Sequence, residues 1–470
     1  MTSQNLATPT NVMPKGVMKG WILIIIAAIV AFILYQVLPY DQNASKGLAL
    51  LAFIGILWLT EAIHITITAL LIPILAVLLA MPMADGDALV PITTQAALTT
   101  FADPVIFLFF GGFALATALH IQKLDKKIAM WIISLSGGHL GISVLAIFAV
   151  TAALSMWISN TATAAMMLPL ALGLLSHLDV EKERKTFVFI LLGIAYSASI
   201  GGLGTIVGSP PNAIAAKALG YDFADWMKIG LPMMFIILPA MLISLYLVLR
   251  PKLNHKVQFV TEDIPWTRSR IAAMLLFICT ALAWIFSKKL TENFGISQPD
   301  TWIAILAACM VAILGTATWK QIAENTDWGV LYLFGGGLTL SAILKDSGSS
   351  LVLGQTLANT FGDTSPLVII FVVATFIIFL TEFTSNTASA ALLVPVFAAI
   401  ADQMGMPKEI LVIVIGIGAS CAFMLPVATP PNAIVFGTGY IQQSEMMKVG
   451  FVLNIMCIFL VSLFIYWFFL

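Results

Sequence analysis

A Ser-Asn-Thr tripeptide occupies positions 159–161, and a second copy occupies positions 385–387. These residue types are favoured at the start of a helix, because their side-chain oxygens accept hydrogen bonds from free backbone N–H groups. Each tripeptide is followed by a run rich in small and apolar helix-forming residues. A helix that begins there directs N–H donors and a positive dipole end at its surroundings, which attracts anions. We therefore expect two helix ends that converge on the anionic groups of one small molecule.

A Pro-Pro-Asn motif follows each tripeptide, reading Ser-Pro-Pro-Asn at 209–212 and Thr-Pro-Pro-Asn at 429–432. Proline lacks a backbone donor and disfavours helix in the residue before it, yet it fits the first turn of a new helix. We expect the preceding segments, 199–208 and 420–428, to be unwound, which leaves carbonyl oxygens free to bind Na⁺. A charge at the membrane centre costs at least ~2.5–3.5 kcal/mol, so bound cations and a bound anion should stabilise each other.

The composition is that of a chain solvated by lipid. Of its 470 residues, 60% are hydrophobic and 10% are charged, whereas soluble domains carry about 25% charged residues. The net charge of −1 provides no basic surface for nucleic acid. The four cysteines lie in apolar stretches without metal-ligand spacing, so we expect them to pack as small hydrophobic residues.

Apolar runs of about 20 residues predict eleven transmembrane helices. The expected spans lie near residues 20–39, 47–63, 66–83, 101–120, 187–219, 226–249, 271–287, 302–318, 328–344, 409–439 and 449–469. Two further apolar stretches, 129–177 and 350–400, are too long for one crossing, and each contains a tripeptide. Polar groups deep in lipid are tolerated only where protein buries them or water reaches them. We therefore expect each stretch to turn back at its tripeptide as a re-entrant hairpin.

Basic residues determine the expected orientation. Loops rich in lysine and arginine stay in the cytoplasm, and such residues flank both ends of the first long stretch, at 123–127 and 182–185. With both stretches as hairpins, the eleven spans place the N-terminus in the cytoplasm and the C-terminus outside, and most of the 22 basic residues fall on the cytoplasmic side. We expect a multi-pass protein of the plasma (inner) membrane.

Three segments recur in the same order in the two halves of the chain, which indicates an internal duplication. FFGGFALATAL at 109–119 matches LFGGGLTLSAI at 333–343, and the sequences around the tripeptides and the Pro-Pro-Asn motifs match as well. Because an odd number of spans separates the two hairpins, the second half is expected to be inverted. Inverted repeats with broken helices are typical of secondary transporters. The expected fold is an all-α integral membrane protein with eleven transmembrane helices, two re-entrant hairpins and an inverted-topology repeat.

Three ionisable residues lie in or beside apolar segments, where such groups are functional candidates. Glu382 precedes the second tripeptide, and we expect it either to contact the cation site or to hydrogen-bond to the turn. Glu61 lies at the end of the expected span 47–63, and His64 lies between it and the next span, so we expect both at a short interfacial turn.

The paired motifs resemble those of the divalent anion/sodium symporter family, the INDY type of dicarboxylate transporter. The resemblance rests on the two tripeptides and the two Pro-Pro-Asn breaks, and it extends from Trp21 to the C-terminus. It implies sodium-coupled uptake of succinate, fumarate or malate, with Na⁺ as the co-transported ion and no organic cofactor. It also implies a homodimer in the lipid bilayer that moves its substrate by an elevator mechanism.

The resemblance further implies which residues bind substrate and sodium. The substrate carboxylates would contact Asn160, Thr161, Ser209, Asn386, Thr387 and Thr429. A first sodium site would comprise Ser155, Ser159, Asn160 and the carbonyl of Gly208, and a second would comprise Thr381, Thr384, Asn386 and the carbonyl of Ala428. The segments before the two breaks differ in sequence, so the two sites need not have equal affinity.

A scaffold domain and a moving transport domain are implied by the same resemblance. The expected division is a cytoplasmic N-terminal segment at 1–19, scaffold helices at 20–120, the first hairpin and broken helix of the transport domain at 121–249, a cytoplasmic linker at 250–270, scaffold helices at 271–345, and the second hairpin and broken helix at 346–470.

Other functions are compatible with the same motifs. The anion could be citrate or sulfate, the protein could exchange dicarboxylates, and a cation–proton antiporter would use an intramembrane carboxylate, for which Glu382 is the candidate. A simple channel would not need capped hairpins in inverted halves. An enzyme would need a nucleophile–base pair or a metal motif such as HExxH, and the sequence offers neither, so we expect no enzymatic activity.

Overall fold

The computed structural model describes residues 15–86, 88–176, 178–256, 262–361 and 364–470, which are mostly helical. Of the expected N-terminal segment 1–19, residues 1–14 lie outside the described residues. A short antiparallel ribbon, β1 (Pro82–Asp85) and β2 (Ala88–Pro91), pairs Met83 with Val90. The all-α expectation missed this ribbon, which begins within the last residues of the third expected span.

The first half of the chain contains eleven helices among the described residues. They are α1 (Lys15–Val37), α2 (Gln42–Thr60), α3 (Ile65–Leu78), α4 (Thr94–Thr99), α5 (Pro104–Ile121), α6 (Leu124–Ser134), α7 (Leu140–Ser155), α8 (Asn160–Leu175), α9 (Arg184–Gly201), α10 (Pro210–Leu219) and α11 (Phe223–Leu249). Short 3₁₀ turns follow α4 at Thr100–Ala102 and α9 at Gly202–Gly204.

The second half also contains eleven helices among the described residues. They are α12 (Arg268–Ile285), α13 (Ser287–Phe294), α14 (Pro299–Ile313), α15 (Trp319–Asn325), α16 (Trp328–Asp346), α17 (Ser349–Phe361), α18 (Pro366–Leu380), α19 (Asn386–Gln403), α20 (Lys408–Gly418), α21 (Pro430–Phe436) and α22 (Gln443–Phe469). The helices of the second half come in an order similar to those of the first, but α13 has 8 residues whereas its counterpart α2 has 19.

Eight of the eleven expected spans match helices that, within the described residues, are long and apolar enough to cross a membrane. The other three, 66–83, 302–318 and 409–439, contain shorter helices. α3 and α14 have 14 and 15 residues, and the last of these spans is broken between α20 and α21. α13 and α14 meet at a bend of 103°. The exact number of crossings therefore stays a prediction.

The two long apolar stretches turn at their tripeptides. α7 and α8 flank the first tripeptide, and α18 and α19 flank the second. These four helices have 15 to 18 residues, which is roughly 22–27 Å at 1.5 Å per residue and less than the ~30 Å hydrocarbon core. Such lengths favour re-entry over two full crossings.

Helices of the two halves are interleaved in corresponding pairs. α5 packs on α14, and α16 packs on α3. Glycine makes both contacts close, because a Cβ added at Gly111 would lie 2.5 Å from the carbonyl oxygen of Ala304, and one at Gly336 would lie 2.6 Å from that of Ala69. After the breaks, α10 packs on α19 and α20, while α21 packs on α8 and α9. This exchange brings the tripeptides and the breaks of both halves into one region.

Candidate functional site

One cavity of about 650 Å³ lies where the two halves meet. All six side chains predicted to bind substrate line it: Asn160, Thr161, Ser209, Asn386, Thr387 and Thr429. Of the other predicted sodium ligands, Ser159, Gly208 and Ala428 line it too, whereas Ser155, Thr381 and Thr384 do not. The sequence therefore identified residues that the fold brings together from positions far apart in the chain.

The cavity wall offers neutral donors to an anion. In the described part of the chain, its lining includes no lysine and no arginine. Ser159 caps α8, since its Oγ accepts a hydrogen bond from the backbone N–H of Ala162 at 3.2 Å. Ser385 caps α19 in the same way, through the N–H of Ala388 at 3.4 Å. Two helix N-termini, with their positive dipole ends, therefore adjoin one space.

Oxygen atoms cluster behind the first tripeptide. The Oγ of Ser155 lies 2.6 Å from Asn160 Oδ1 and 2.7 Å from the carbonyl oxygen of Ala198. A Cβ added at Gly202 would lie 2.6 Å from Asn160 Oδ1 and 2.9 Å from the carbonyl oxygen of Gly208, so these two oxygens flank a common point. A hydroxyl, an amide oxygen and the carbonyl of the unwound Gly208 form the kind of ligand set that holds Na⁺ in transporters.

The first break begins later than predicted. We expected unwinding from Ser199, but α9 continues to Gly201 and is followed by a 3₁₀ turn. The side-chain amide of Asn212 then holds the loop together, because its Nδ2 donates to the carbonyl oxygens of Gly202 and Thr205 at 2.7 Å each. Buried packing of α9 on α7, α8 and α11 keeps Ser199 helical.

The second break is held in a related way. Asn432 Nδ2 donates to the carbonyl oxygens of Leu425 at 3.0 Å and Ala422 at 3.3 Å. Thr429 caps α21, its Oγ1 accepting from the N–H of Asn432 at 3.3 Å. The Oδ1 of Asn386 is buried without a hydrogen-bond partner among the described residues. An unpartnered buried oxygen beside unwound backbone is suited to a cation.

Two predicted ligands of the second sodium site have partners in the preceding helix. Thr381 Oγ1 lies 3.0 Å from the carbonyl oxygen of Ile377. Thr384 Oγ1 lies 2.9 Å from that of Leu380 and 2.8 Å from the Oγ of Ser389. A hydroxyl that donates its proton to a carbonyl keeps lone pairs for a cation, so these contacts are compatible with the predicted role.

The two halves also touch directly at the cavity wall. Ser209 Oγ and Ser420 Oγ lie 3.2 Å apart, and both side chains are buried. Each serine belongs to the break of its own half, so this contact joins the two unwound segments.

The chain matches a family model described as the sodium:sulfate symporter transmembrane region over residues 16–470. The chain belongs to this family. The divalent anion/sodium symporter resemblance predicted from the motifs is thereby confirmed, and the family is one of membrane transporters.

Full-length relatives of this symporter family member are found in bacteria. It is 55% identical over 460 residues to an uncharacterized transporter of Haemophilus influenzae, covering 96% of this chain and 98% of the relative. It is 33% identical over 489 residues to the sodium-dependent dicarboxylate transporter SdcS of Staphylococcus saprophyticus, covering 96% and 91%. The YdaH transporter of Alcanivorax borkumensis has a similar fold, with a TM-score of 0.56 over 85% of this chain and 95% of that structure, at 13% identity.

The lining of the cavity in this symporter-family protein includes further polar residues. Glu61, His120, Asn325 and Asp327 line it, and each lies at or beside a helix end. Glu61 has a left-handed backbone conformation and His64 caps α3, so the expected turn between α2 and α3 is confirmed. Elsewhere, where α10 meets the N-terminus of α5, Lys217 Nζ and Asp103 Oδ2 form an ion pair at 2.8 Å.

Two residues that shape the site have no role in the prediction from sequence: Asn212 and Asn432, which belong to the Pro-Pro-Asn motifs. Glu382 is predicted either to contact the cation site or to hydrogen-bond to the turn, and the structure shows that its carboxylate binds backbone N–H groups of the second break. The recurrence of an asparagine in both Pro-Pro-Asn motifs is the sequence signal that could have identified Asn212 and Asn432.

Proposed function

We propose that this protein is a secondary active transporter that couples uptake of a C4-dicarboxylate, such as succinate, fumarate or malate, to sodium. The observation that carries the proposal is the single cavity lined by two capped helix ends from opposite halves. Two such ends match two carboxylates on one small molecule. The sodium-dependent dicarboxylate transporter SdcS, a full-length relative, supports the same substrate class.

In this proposal, the substrate and the ions use adjacent parts of the cavity. Carboxylates contact Asn160, Thr161 and Ser209 on one side, and the matching residues of the second half on the other: Asn386, Thr387 and Thr429. One Na⁺ binds at Ser155, Ser159, Asn160 and the Gly208 carbonyl. The other binds at Thr381, Thr384, Asn386 and the Ala428 carbonyl. Sodium neutralises a dianion that meets neither lysine nor arginine in the described lining of the cavity, so neither is expected to bind well alone.

We also propose the membrane arrangement predicted from the sequence. The protein sits as a homodimer in the inner membrane, with a cytoplasmic N-terminus and an external C-terminus. Glu61, His120 and Asp327 then lie at cytoplasmic helix ends, so the cavity opens inward. The Lys217–Asp103 pair joins the proposed transport and scaffold domains on the outer side. An elevator movement of the transport domain would break that pair.

Purified protein in liposomes is expected to accumulate labelled succinate when an inward sodium gradient is imposed. If more than two Na⁺ enter with each dianion, an inside-negative potential speeds uptake, because each charge gains about 2.3 kcal/mol per 100 mV. Initial uptake rates in sodium and in potassium measure the coupling. Equal rates in the two salts would contradict sodium symport.

Sulfate is the second candidate substrate, because the matching family model carries that name. Competition of unlabelled sulfate, citrate and fumarate against succinate in the same liposomes ranks these anions. Uptake driven only by internal succinate, without a sodium gradient, would indicate an exchanger instead. Uptake of labelled sodium driven by an outward proton gradient, without succinate, would favour the cation–proton antiporter alternative.

Replacing Thr161 or Thr387 by valine is expected to raise the succinate concentration at half-maximal uptake by roughly tenfold. Valine keeps the shape of threonine but removes a hydroxyl, and a hydrogen bond to a charged group contributes about 1.5–3 kcal/mol. Thr360→Val is the matched control, because Thr360 is exposed on α17 and bonds to its own helix. Unchanged half-saturation in both variants would remove these threonines from the substrate site.

A further inference from the structure

A buried carboxylate lies directly behind the second tripeptide. Glu382 is 1% exposed. Its Oε1 accepts hydrogen bonds from the N–H groups of Phe423 at 2.7 Å and Met424 at 3.0 Å, and its Oε2 accepts from those of Met424 at 3.0 Å and Leu425 at 3.1 Å. Asn454 Nδ2, from α22, donates to Oε1 at 2.7 Å. Every described partner of this carboxylate is therefore a donor.

These contacts bind the unwound segment from one side. Three successive backbone N–H groups that face one point form a concave anion site, and here the anion is a side chain of the same protein. Charge-assisted hydrogen bonds are about twice as strong as neutral ones. The N–H groups of residues 423–425 therefore point toward Glu382, which lies just after the C-terminal end of α18.

The carbonyl groups of the same segment are bound by other residues. Asn432 holds the carbonyls of Ala422 and Leu425, and the hydroxyl of Tyr196 donates to that of Phe423 at 2.7 Å. The turn at 425–428 starts from these residues, because the N–H of Ala428 donates to the Leu425 carbonyl at 3.2 Å. The segment that leads to Ala428, a residue of the cavity lining, therefore starts from residues that Glu382 holds.

The first half has no corresponding carboxylate. By the offset of the tripeptides, the counterpart of Glu382 is Met156, and by the offset of the Pro-Pro-Asn motifs, the counterpart of Asn454 is Met234. In that half, neutral groups fasten the loop to the hairpin tip: Thr205 Oγ1 donates to the Met156 carbonyl at 2.5 Å. A fixed negative charge thus stands behind one tripeptide and not behind the other.

We propose that Glu382 is a positioning residue that makes the second cation site. It turns the N–H groups of residues 423–425 away from the ion and fixes the start of the turn that leads to Ala428, whose carbonyl is the proposed ligand. Its charge attracts a cation to the second site and not to the first. This inference rests on the proposed sodium coupling. It predicts that sodium binding at the second site depends on the charge of Glu382 and that sodium binding at the first site does not.

The test is Glu382→Gln in the full-length protein, reconstituted in liposomes. Glutamine keeps the size and one acceptor oxygen, but it removes the charge and directs an NH₂ group at backbone donors. We expect the sodium concentration at half-maximal succinate uptake to rise by about tenfold or more, equivalent to 1.4 kcal/mol. The succinate half-saturation measured at saturating sodium should change far less. Glu382→Asp, which keeps the charge, should recover part of the sodium affinity.

Glu324→Gln is the matched control, because Glu324 is largely exposed on α15; its sodium dependence should equal that of the unaltered protein. Sodium-dependent thermal stabilisation of the purified protein, without succinate, provides a second readout. A variant that melts earlier but keeps the sodium half-saturation would show a purely structural role and overturn the inference.

If Glu382→Gln does not fold, Glu382→Asp serves instead. Aspartate keeps the charge but is shorter by one methylene, so it weakens the bonds to the N–H groups of residues 423–425. A smaller rise of the sodium half-saturation is expected, and no change would overturn the inference. Failure of the proposed function is distinguishable, because the unaltered protein would then show no response to sodium in either readout.

Discussion

Replacing Gly202 by alanine is expected to lower sodium-coupled uptake by roughly two orders of magnitude. The added Cβ would lie 2.6 Å from Asn160 Oδ1 and 2.9 Å from the Gly208 carbonyl oxygen. Asn160 belongs to the tripeptide, and the Gly208 carbonyl belongs to the loop backbone. Both are proposed sodium ligands, and they must move to relieve the steric clash with the added Cβ. Overpacking costs about 1–3 kcal/mol, and each 1.4 kcal/mol is a factor of ten in affinity.

Gly173→Ala is the control for this variant. Gly173 lies in α8 of the first hairpin, in the same half of the chain as Gly202, but a Cβ added there meets no atom within 4 Å. Uptake as a function of sodium, measured at equal amounts of reconstituted protein, separates the two substitutions. If Gly202→Ala retained the sodium dependence of the unaltered protein, the oxygen cluster at Ser155, Asn160 and Gly208 would not be a sodium site.

The tips and the breaks could be predicted because local rules specify them. Ser159 and Ser385 cap helices since a serine oxygen pairs with the free N–H groups of any first turn. α10 and α21 begin at the first proline of each motif, as the fixed backbone angle of proline favours. Duplication then placed the same features in both halves, and interleaved packing of the halves brought them together.

The supports behind the site could not be predicted, because they depend on tertiary contacts. Glu382 and Phe423 are 41 residues apart, and no local pattern identifies which carboxylate enters a concave backbone site. The length of helix before a break is equally non-local: Ser199 stays helical because surrounding helices bury α9. The short helices α3 and α14 are likewise set by their packing on α16 and α5.

Replacing Asn212 by alanine is expected to reduce uptake by at least about 30-fold, and by more than the same change at Asn432. Alanine would leave the carbonyls of Gly202 and Thr205 without their 2.7 Å partners, and an unsatisfied buried group costs about 1–3 kcal/mol. At Asn432 the two bonds are longer, at 3.0 and 3.3 Å, and Glu382 still holds the segment.

The exposed Asn293 on α13 provides the matched control for both changes, and its alanine variant should transport normally. Uptake rates over a range of sodium concentrations, with the thermal stability of each purified variant, give the comparison. Which of the two variants loses more uptake matters more than the size of each loss, because that ranking follows from the different contacts that hold the two loops. Equal losses at Asn212 and Asn432 would mean that the carboxylate gives the second loop no added support. A larger loss at Asn432 would reverse the argument and make the second loop the weaker one.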